Sequence, residues 1–198
     1  LLKRAMWKRS ISKSLTKRKT FKMKIFISGG CKNGKSYFAQ SLAKQLAEES
    51  GGPLYYIATM IPCDEEDRAR IRRHIEDRAG WGFETIEQGR NIKEIFDKTY
   101  ENGTFLLDSV TALLANEMFD SGDINRSAYL KIAEELKYVA GRASNIVFVS
   151  DYIYSDAVIY DELSEDYRRG LGYIDRALAG ICDRVTEVAY GQLFDYKR

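Results

Sequence analysis

The chain has 198 residues, of which 44% are hydrophobic and only two are proline, so it is long enough for one well-filled α/β domain. Its formal net charge of +2 hides an uneven distribution: residues 1–22 carry nine of the 31 Lys and Arg residues and no acid, whereas the rest of the chain carries all 29 acidic residues. No apolar run approaches the roughly eighteen residues of a membrane span, so none is predicted, and we expect no nucleic-acid partner.

The cysteines and the single histidine give no zinc site. Cys31, Cys63 and Cys182 are odd in number and share no metal-ligand spacing, and His74 is the only histidine. Free thiols fit a reducing compartment, so we expect a cytoplasmic protein.

The basic segment at residues 1–22 ends where the first predicted strand begins, near Met23. It is either a basic arm or a Ser/Arg-rich targeting peptide, or it is leader sequence upstream of a start at Met23. We favour the leader, because domains with the motif described next commonly open with a strand. We expect residues 1–22 to be disordered or loosely helical, and residues 23–198 to form the functional domain.

A phosphate-binding loop is predicted directly after that strand. The pattern Gly-x-x-x-x-Gly-Lys-Ser at 29–36 lies between an apolar stretch at 24–27 and a helix that starts near Lys35. Glycines let successive N–H groups point into one cavity, and the helix adds the positive end of its dipole. The predicted nucleotide contacts of this loop are Gly29, Gly30, Cys31, Lys32, Asn33, Gly34, Lys35 and Ser36.

Lys35 and Ser36 distinguish a phosphate-binding loop from a glycine-rich turn that only packs tightly. Lys35 would neutralise the β- and γ-phosphate oxygens, and the Ser36 hydroxyl would ligate Mg²⁺. A glycine-rich turn that only packs tightly would not need this pair of side chains.

Strands and helices alternate along the rest of the chain. Strands are predicted at 54–59, 83–87, 104–109 and 145–151, a late edge strand at 186–191, and a charged helix at 64–79. Several strands are apolar throughout, which is typical of strands covered on both faces. The sequence therefore predicts a P-loop NTPase-type α/β fold, with a doubly wound, mostly parallel sheet and helices on both faces.

The ligand of such a sheet lies outside the carboxyl ends of its strands. Thr59, Asp108 and Asp151 are at those ends, beside the predicted phosphate loop. Asp108 follows an apolar strand in the manner of the acid that completes Mg²⁺ binding in P-loop enzymes, so Ser36 and Asp108 are the predicted metal ligands. The alternative is that Asp108 only caps the following helix.

His74 lies on the charged helix, four residues after Arg70 and four before Arg78, so the three side chains share one stripe. Two guanidiniums can hold nucleotide phosphates and keep the imidazole unprotonated, as a nitrogen nucleophile requires. In the alternative, the face is solvated, His74 has no role, and the arginines pair with acids of the same helix, Asp67, Glu76 and Asp77.

Taken together, the P-loop and the segment around His74 resemble those of the bifunctional adenosylcobinamide kinase/adenosylcobinamide-phosphate guanylyltransferases of cobalamin assembly. The resemblance runs from Met23 nearly to the C-terminus. The most specific match is Arg-Ile-x-x-His-x-x-x-Arg at 70–78, since a P-loop alone fits many functions. The matching segments are SGGCKNGKS at 28–36, YIAT at 56–59, RIRRHIEDR at 70–78, ETIE at 84–87, LLDSVTALLANEMF at 106–119 and YRRGLGYIDRALAGICDRVTEVAYG at 167–191.

The resemblance implies an activity and a set of site residues. His74 is similar to the histidine that becomes guanylylated, and Lys35 is the second implied catalytic residue. The implied reactions are phosphorylation of adenosylcobinamide by GTP or ATP and GMP transfer from GTP to adenosylcobinamide phosphate, with Mg²⁺ as cofactor. A homo-oligomer, a trimer in the family, is also implied. Besides the P-loop, the implied GTP contacts are Thr59, Met60, Ile61, Ile75, Glu76, Asp77, Arg78, Glu87 and Asp108.

Three segments depart from the family's pattern. Members usually show Asn-Glu-Val-Gly and then Gly-x-Gly-Ile-Val-Pro after the strand ending near Ser150, where this chain has DYIYSDAVIY at 151–160. A later Asn-Gln pair is replaced by Asp175 and Arg176, and a family Trp by Phe83. These changes spare the nucleotide motifs but alter the surface that would meet the acceptor. Two alternatives stay open, a P-loop kinase for another small molecule and a nucleotide-binding regulatory protein without turnover.

Overall fold

The computed structural model describes residues 22–120, 122–154 and 156–198, so the prediction for residues 1–22 lies almost wholly outside the described part. Its strands are β1 (Met23–Gly29), β2 (Leu54–Ala58), β3 (Glu84–Glu87), β4 (Thr104–Asp108), β5 (Phe119–Asp120), β6 (Asp123–Ile124), β7 (Asn145–Asp151), β8 (Arg184–Ala189) and β9 (Gln192–Lys197). Its helices are α1 (Lys35–Ser50), α2 (Glu65–Asp77), α3 (Val110–Met118), α4 (Ala128–Arg142) and α5 (Glu162–Ile181), with a 3-10 helix at Ile92–Asp97. None of these described helices combines the length and the apolar character needed to cross a membrane.

Within the described ranges, seven strands form one sheet in the order β3-β2-β4-β7-β1-β8-β9. Neighbouring strands are parallel except β8 and β9, which form an antiparallel hairpin. The predicted α/β fold with a mostly parallel sheet is confirmed. The late strand predicted at 186–191 is present as β8 (Arg184–Ala189), but its predicted position at the edge is wrong, because β8 lies between β1 and β9.

The missed hairpin turns at Tyr190 and Gly191, whose φ angles are both positive, at 52° and 74°. Such two-residue turns are usually signalled by Asn-Gly or Asp-Gly, and tyrosine gives no such signal. β9 is also exposed along most of its length, so its sequence lacks the apolar run that marked the inner strands.

Helices cover both faces of the sheet, as predicted. Ile25 and Ile27 of β1 pack in a buried cluster with Ala39 and Ala43 of α1. Phe26 points to the opposite face and belongs to the larger cluster formed with α3, α4 and α5. Because both faces are covered, the loops at the carboxyl ends of the parallel strands are where a ligand can bind.

Helix α2 differs from the other helices because none of its described side chains is buried. It is held at its ends instead. Asp64 caps the N-terminus by accepting a hydrogen bond from Asp67 N at 2.8 Å, and Arg78 contacts the last turn through a hydrogen bond to the carbonyl of His74.

Candidate active site

The loop between β1 and α1 has the backbone geometry of a phosphate cradle. A Cβ atom at Gly29 would lie 2.5 Å from the carbonyl oxygen of Val188, so only glycine fits beside β8. Gly34 has a φ of 85°, a conformation that glycine adopts without strain. The chain therefore turns sharply enough for α1 to begin at Lys35, directly behind the loop.

The N-terminus of α1 is open to an anion. Gly34 offers no capping side chain, and the first turn of the helix contains no acidic residue. By contrast, Asp64, Ser109 and Asp161 cap α2, α3 and α5 by accepting backbone N–H bonds. The first N–H groups of α1, together with the helix dipole, are therefore available to phosphate oxygens.

Lys35 is only 7% exposed, and its ammonium group lies over the loop. The Nζ atom donates to the carbonyl of Gly30 at 3.2 Å and forms an ion pair with Asp151, the last residue of β7. Sequence reasoning placed Asp151 at this edge of the sheet but did not predict its contact with Lys35. The lysine charge is thus held beside the cradle by a carboxylate that an incoming phosphate must displace.

Asp108 lies at the carboxyl end of β4, and its Oδ2 accepts a hydrogen bond from the hydroxyl of Tyr56 at 2.9 Å. Burial raises the pKa of Asp108 above its usual value, while the Tyr56 hydrogen bond and the charges of His74 and Lys35 act in the opposite direction. Burial also raises the pKa of Tyr56, so its hydroxyl stays protonated as the donor. Asp108 therefore lies within electrostatic reach of both the cradle lysine and the single histidine.

The alternative in which Asp108 is merely the cap of α3 does not hold. Ser109 is the capping residue, and its hydroxyl accepts a hydrogen bond from Ala112 N at 3.2 Å. The Asp108 carboxylate is directed to Tyr56 instead and lines the cavity described below.

Ser36 and Asp108, the predicted metal ligands, form an oxygen set that suits Mg²⁺. Among the described residues, no group of three or more His, Cys, Asp or Glu side chains could hold a metal ion. Mg²⁺ is usually bound by one or two protein groups together with substrate phosphates and water. A hydroxyl in the first turn of α1 and one carboxylate at the carboxyl end of β4, two strands from β1 in the sheet, are oxygen donors of the kind that this ion takes.

His74 lines a cavity of about 340 Å³ between α2 and the carboxyl ends of β2 and β4. Arg70 and Arg78 line the same cavity, so the three residues of the predicted stripe face one space. Arg68 and Arg72 also line this cavity, and both form ion pairs with Glu65 near the start of α2. Among the described side chains, which do not include that of Asp77, no ion pair joins an acid of α2 to Arg70 or Arg78, and the role of His74 stays a prediction.

Arg78 is buried, whereas Arg70 is exposed. The Arg78 guanidinium lies 3.8 Å from the ring centroid of Tyr56, and it donates to His74 O at 2.8 Å and to Thr85 Oγ1 at 3.3 Å. Arg78 therefore anchors the end of α2 against β2 and β3. The nucleotide contact expected of Arg78 stays a prediction, and Arg70 is the guanidinium of the stripe that solvent reaches most freely.

Some of the other predicted nucleotide contacts are brought to this cavity. Met60, Glu87 and Asp108 line it together with the histidine. Thr59 is fully buried beside it, and its hydroxyl both donates to Ser109 O at 2.8 Å and accepts from Ser109 N at 2.7 Å. Thr59 thus positions the segment that follows Asp108.

The remaining predicted contacts are not brought to the cavity. Ile61, Ile75 and Glu76 are exposed and do not line it, and the side chain of Asp77 lies outside the described part. Within the P-loop, Cys31 and Lys32 are exposed at the tip of the loop. A nucleotide contact at these positions stays a prediction.

Two residues that sequence reasoning missed hold the site together. Tyr56 joins Asp108 to the stacked Arg78, and its only signal was a pair of tyrosines in an otherwise apolar strand. Asn116 donates from Nδ2 to the carbonyls of Thr59 and Gly89, at 2.7 and 2.9 Å, which ties the loops after β2 and β3 to α3. Nothing in the local sequence of α3 indicated that role.

The parallel sheet, the open N-terminus of α1 and the buried lysine behind it define the class of P-loop nucleotide-binding domains. A solved ATPase domain with this fold is similar, with a TM-score of 0.51 and 14% sequence identity, covering 84% of this chain and 69% of that one. At that identity the likeness shows the fold alone.

The chain belongs to a family described as cobinamide kinase / cobinamide phosphate guanyltransferase, which matches residues 25–195. It is 34% identical, over 85% of its length, to the bifunctional adenosylcobalamin biosynthesis protein CobP of Pseudomonas aeruginosa, of which it covers 94%. It is 24% identical, over 85% of its length, to the bifunctional adenosylcobalamin biosynthesis protein CobU of Escherichia coli, of which it covers 97%. The resemblance seen in the sequence is confirmed.

Proposed function

We propose that this chain is a bifunctional transferase that phosphorylates adenosylcobinamide and then transfers GMP from GTP to the phosphorylated product by way of a guanylylated His74. The single observation that carries the proposal is the position of Asp108, which lines one cavity with His74 and whose pKa, raised by burial, is acted on in the opposite direction by the charge of Lys35. The phosphate cradle and the candidate nucleophile therefore serve one nucleotide. Membership of the family supports both reactions.

In the first reaction, the chain binds and orients a triphosphate of GTP or ATP. The N–H groups at the start of α1 hold the phosphate oxygens, and Lys35 exchanges Asp151 for them. Mg²⁺, which Ser36 and Asp108 would hold, neutralises phosphate charge when it is bound. The hydroxyl of the acceptor then attacks the γ-phosphorus, and a nucleoside diphosphate leaves.

In the second reaction, His74 is the nucleophile. A neutral imidazole nitrogen attacks the α-phosphorus of GTP, a P–N bond forms, and pyrophosphate leaves. A phosphate oxygen of adenosylcobinamide phosphate then attacks the same phosphorus, which frees His74 and gives adenosylcobinamide-GDP. Arg70, exposed on the same stripe, supplies positive charge to the group in transit.

The location and the assembly state are further parts of the proposal. Cys31 and Cys63 are exposed free thiols and Cys182 is a buried one, which suits the reducing cytoplasm. The resemblance supports a homo-oligomer, a trimer in the family.

The decisive experiment is to incubate the protein with GTP labelled at the α phosphate, without acceptor. We expect covalent label on the wild type and on the control Arg73→Ala, whose exposed side chain lies on α2 outside the cavity. In His74→Ala we expect label and GMP transfer at background, while phosphorylation of adenosylcobinamide survives, because the P-loop is untouched. Equal loss of both activities would mean that His74 only shapes the nucleotide pocket.

The stability of the label gives a second test. A phosphoramidate is labile in acid and persists in alkali, so label on the wild type should be released at low pH and retained at high pH. Acid-stable label would point to a hydroxyl or carboxylate nucleophile and overturn the role of His74. Phosphorylation of a different small molecule without any label would favour the P-loop kinase, whose supporting observation is the altered segment at 151–160.

A further inference from the structure

A second and larger cavity, of about 820 Å³, lies on the face of the sheet opposite α1. We call it the α5 cleft, since one wall is α5 from Glu165 to Ala179 and the other is formed by β1, β8 and β9. The segment after β7 closes its upper end through Tyr152 and Tyr154. Its volume lies in the upper part of the range of small-molecule sites, whereas the His74 cavity lies near the lower limit.

The α5 cleft opens beside the phosphate cradle. Ser28, the residue before Gly29, is part of its wall. The backbone N of Tyr152 donates to the carbonyl of Gly29 at 3.3 Å, and the preceding residue, Asp151, is the ion-pair partner of Lys35. A molecule in the cleft therefore has a short path to the place where the γ-phosphate would lie.

The interior of the cleft contains a polar group that lacks a partner. Asp175 is 3% exposed, and its Oδ2 accepts a hydrogen bond from the hydroxyl of Tyr154 at 2.8 Å. Its Oδ1 and the buried Oγ of Ser150 have no partner in good hydrogen-bond geometry among the described residues, although the Ser150 hydroxyl is near enough to lower the pKa of Asp175. Burial raises the pKa of Asp175 to about 6. Unpaired buried oxygens are destabilising, so a ligand that brings N–H or O–H donors here gains what the protein alone lacks.

The cleft combines a paired guanidinium with polar and aromatic walls. Arg168 is already paired with Asp156 at 2.9 Å and with Glu165 at 2.6 Å. Arg176 and Glu187 also line the cleft, and the Glu187 carboxylate accepts from the hydroxyl of Tyr196 at 2.5 Å. The walls thus offer carboxylate acceptors and tyrosine rings, which suit a ligand with amide and hydroxyl groups around an extended apolar frame.

We propose that the α5 cleft is the acceptor site, and that Asp175 and Tyr154 bind an amide-bearing, corrinoid-like acceptor whose hydroxyl reaches the γ-phosphate over the cradle. This inference rests on the proposed function and names the substrate surface that the function requires. Nucleotide and acceptor would then approach the same edge of the sheet from opposite faces, the nucleotide beside α1 and the acceptor beside α5.

The test uses cobinamide as the probe in equilibrium dialysis against the full-length protein. We expect Asp175→Leu to raise the dissociation constant for cobinamide about tenfold or more and Tyr154→Phe to raise it by a smaller factor, because each removes a polar partner of the ligand site. Binding of a GTP analogue and acceptor-free labelling of His74 should stay at wild-type levels. The matched control is Asp166→Asn, on the same helix but paired with Arg126 at 2.7 Å.

The outcomes separate this inference from the proposed function. If the wild type binds cobinamide and transfers GMP, and both cleft variants bind as tightly as the wild type, the cleft is not the acceptor site although the function stands. If the variants lose the GTP analogue instead, the cleft belongs to the nucleotide and the inference is overturned. If the wild type binds no cobinamide, the proposed acceptor and its site fail together. Tyr154→Phe, in an exposed segment, decides the question should Asp175→Leu not fold.

Discussion

The phosphate cradle and the α5 cleft lie at the same edge of one sheet but are built from different parts of the chain. The cradle consists of backbone: Gly29 fits closely against β8, Gly34 turns the chain, and α1 presents its free N–H groups. The cleft consists of side chains from distant segments, with Tyr154 meeting Asp175 across 21 residues. The triphosphate, which all nucleoside triphosphates share, would thus be bound by backbone N–H groups. The acceptor proposed for the α5 cleft would be bound by side chains, which substitutions can change.

The distribution of unusual residues follows this division. Tyr152, Tyr154, Asp175 and Arg176 all line the α5 cleft, and each lies in a segment where the sequence analysis expects a departure from the family's pattern. The P-loop keeps its motif unchanged. Phe83 places an aromatic ring edge to face on Tyr56, with ring centroids 5.9 Å apart.

The largest predicted effect is that of Lys35→Ala, which alters the phosphate cradle and leaves the α5 cleft unchanged. Loss of the one side-chain charge inside the cradle should weaken binding of a GTP analogue on the order of 100-fold and abolish both reactions, since a charge-assisted contact to phosphate is lost. Equilibrium dialysis and the two activity assays measure this. The control Lys137→Gln, at an exposed lysine of α4 that lines neither cavity, should behave as the wild type. Turnover by Lys35→Ala at a rate near that of the wild type would show that the chemistry occurs elsewhere.

A second prediction concerns Asp175 in the α5 cleft and the pH dependence of the free energy of unfolding. The pKa of Asp175 is about 6 in the folded protein and near 3.8 when unfolded, so between these values the folded state retains a proton that the unfolded state releases. The free energy of unfolding of the wild type therefore loses on the order of 3 kcal/mol from this group as the pH rises from about 4 to 6.

Asp175→Asn cannot ionise and still offers an oxygen to Tyr154. Its free energy of unfolding, measured by urea denaturation at a series of pH values, should rise relative to the wild type across that pH window and stay constant above it. A difference between the two proteins that does not change with pH would show that Asp175 titrates normally, and that its burial carries no electrostatic cost.

The smallest predicted effect is that of Asp151→Asn. This carboxylate holds Lys35 while the cradle is empty and would repel the phosphates that replace it. Its removal should tighten binding of a GTP analogue about fivefold, which is the effect of one partly exposed ion pair. Asp156→Asn, in the same segment but paired with Arg168, is the matched control. Unchanged affinity with a large loss of phosphorylation would instead assign Asp151 to the acceptor hydroxyl.

The sequence predicts the fold and the cradle well because both depend on local signals. The apolar strands, the spacing from Gly29 to Ser36 and the four-residue spacing around His74 can each be seen in a single segment, and the structure places the stripe around His74 in one cavity, as expected. The hairpin of β8 and β9 was not predicted, because Tyr190 adopts a positive φ angle that is unusual for tyrosine.

The contacts that complete the site are long-range and could not be predicted in this way. Tyr56 meets Asp108 across 52 residues, and Asn116 meets Thr59 across 57. The packing of Arg78 escaped prediction for the same reason: helical spacing predicted which stripe it occupies, but only the packing of α2 on β2 shows that its guanidinium stacks on Tyr56. Spacing along one helix carries no information on what the neighbouring strand presents.

One contact near the cradle gives the protein an optical reporter of its own. The indole of Trp81 packs edge to face on Tyr37, in the first turn of α1, with ring centroids 5.5 Å apart, and Lys44 lies 5.6 Å from the indole centroid. Trp81 is also tied to the end of α2, since its backbone N–H donates a hydrogen bond to the carbonyl of Arg78 at 3.1 Å. The chain has two tryptophans, and the other, Trp7, can be replaced by phenylalanine. The emission of the remaining indole would then report occupancy of the cradle in a single-tryptophan protein, without any attached dye.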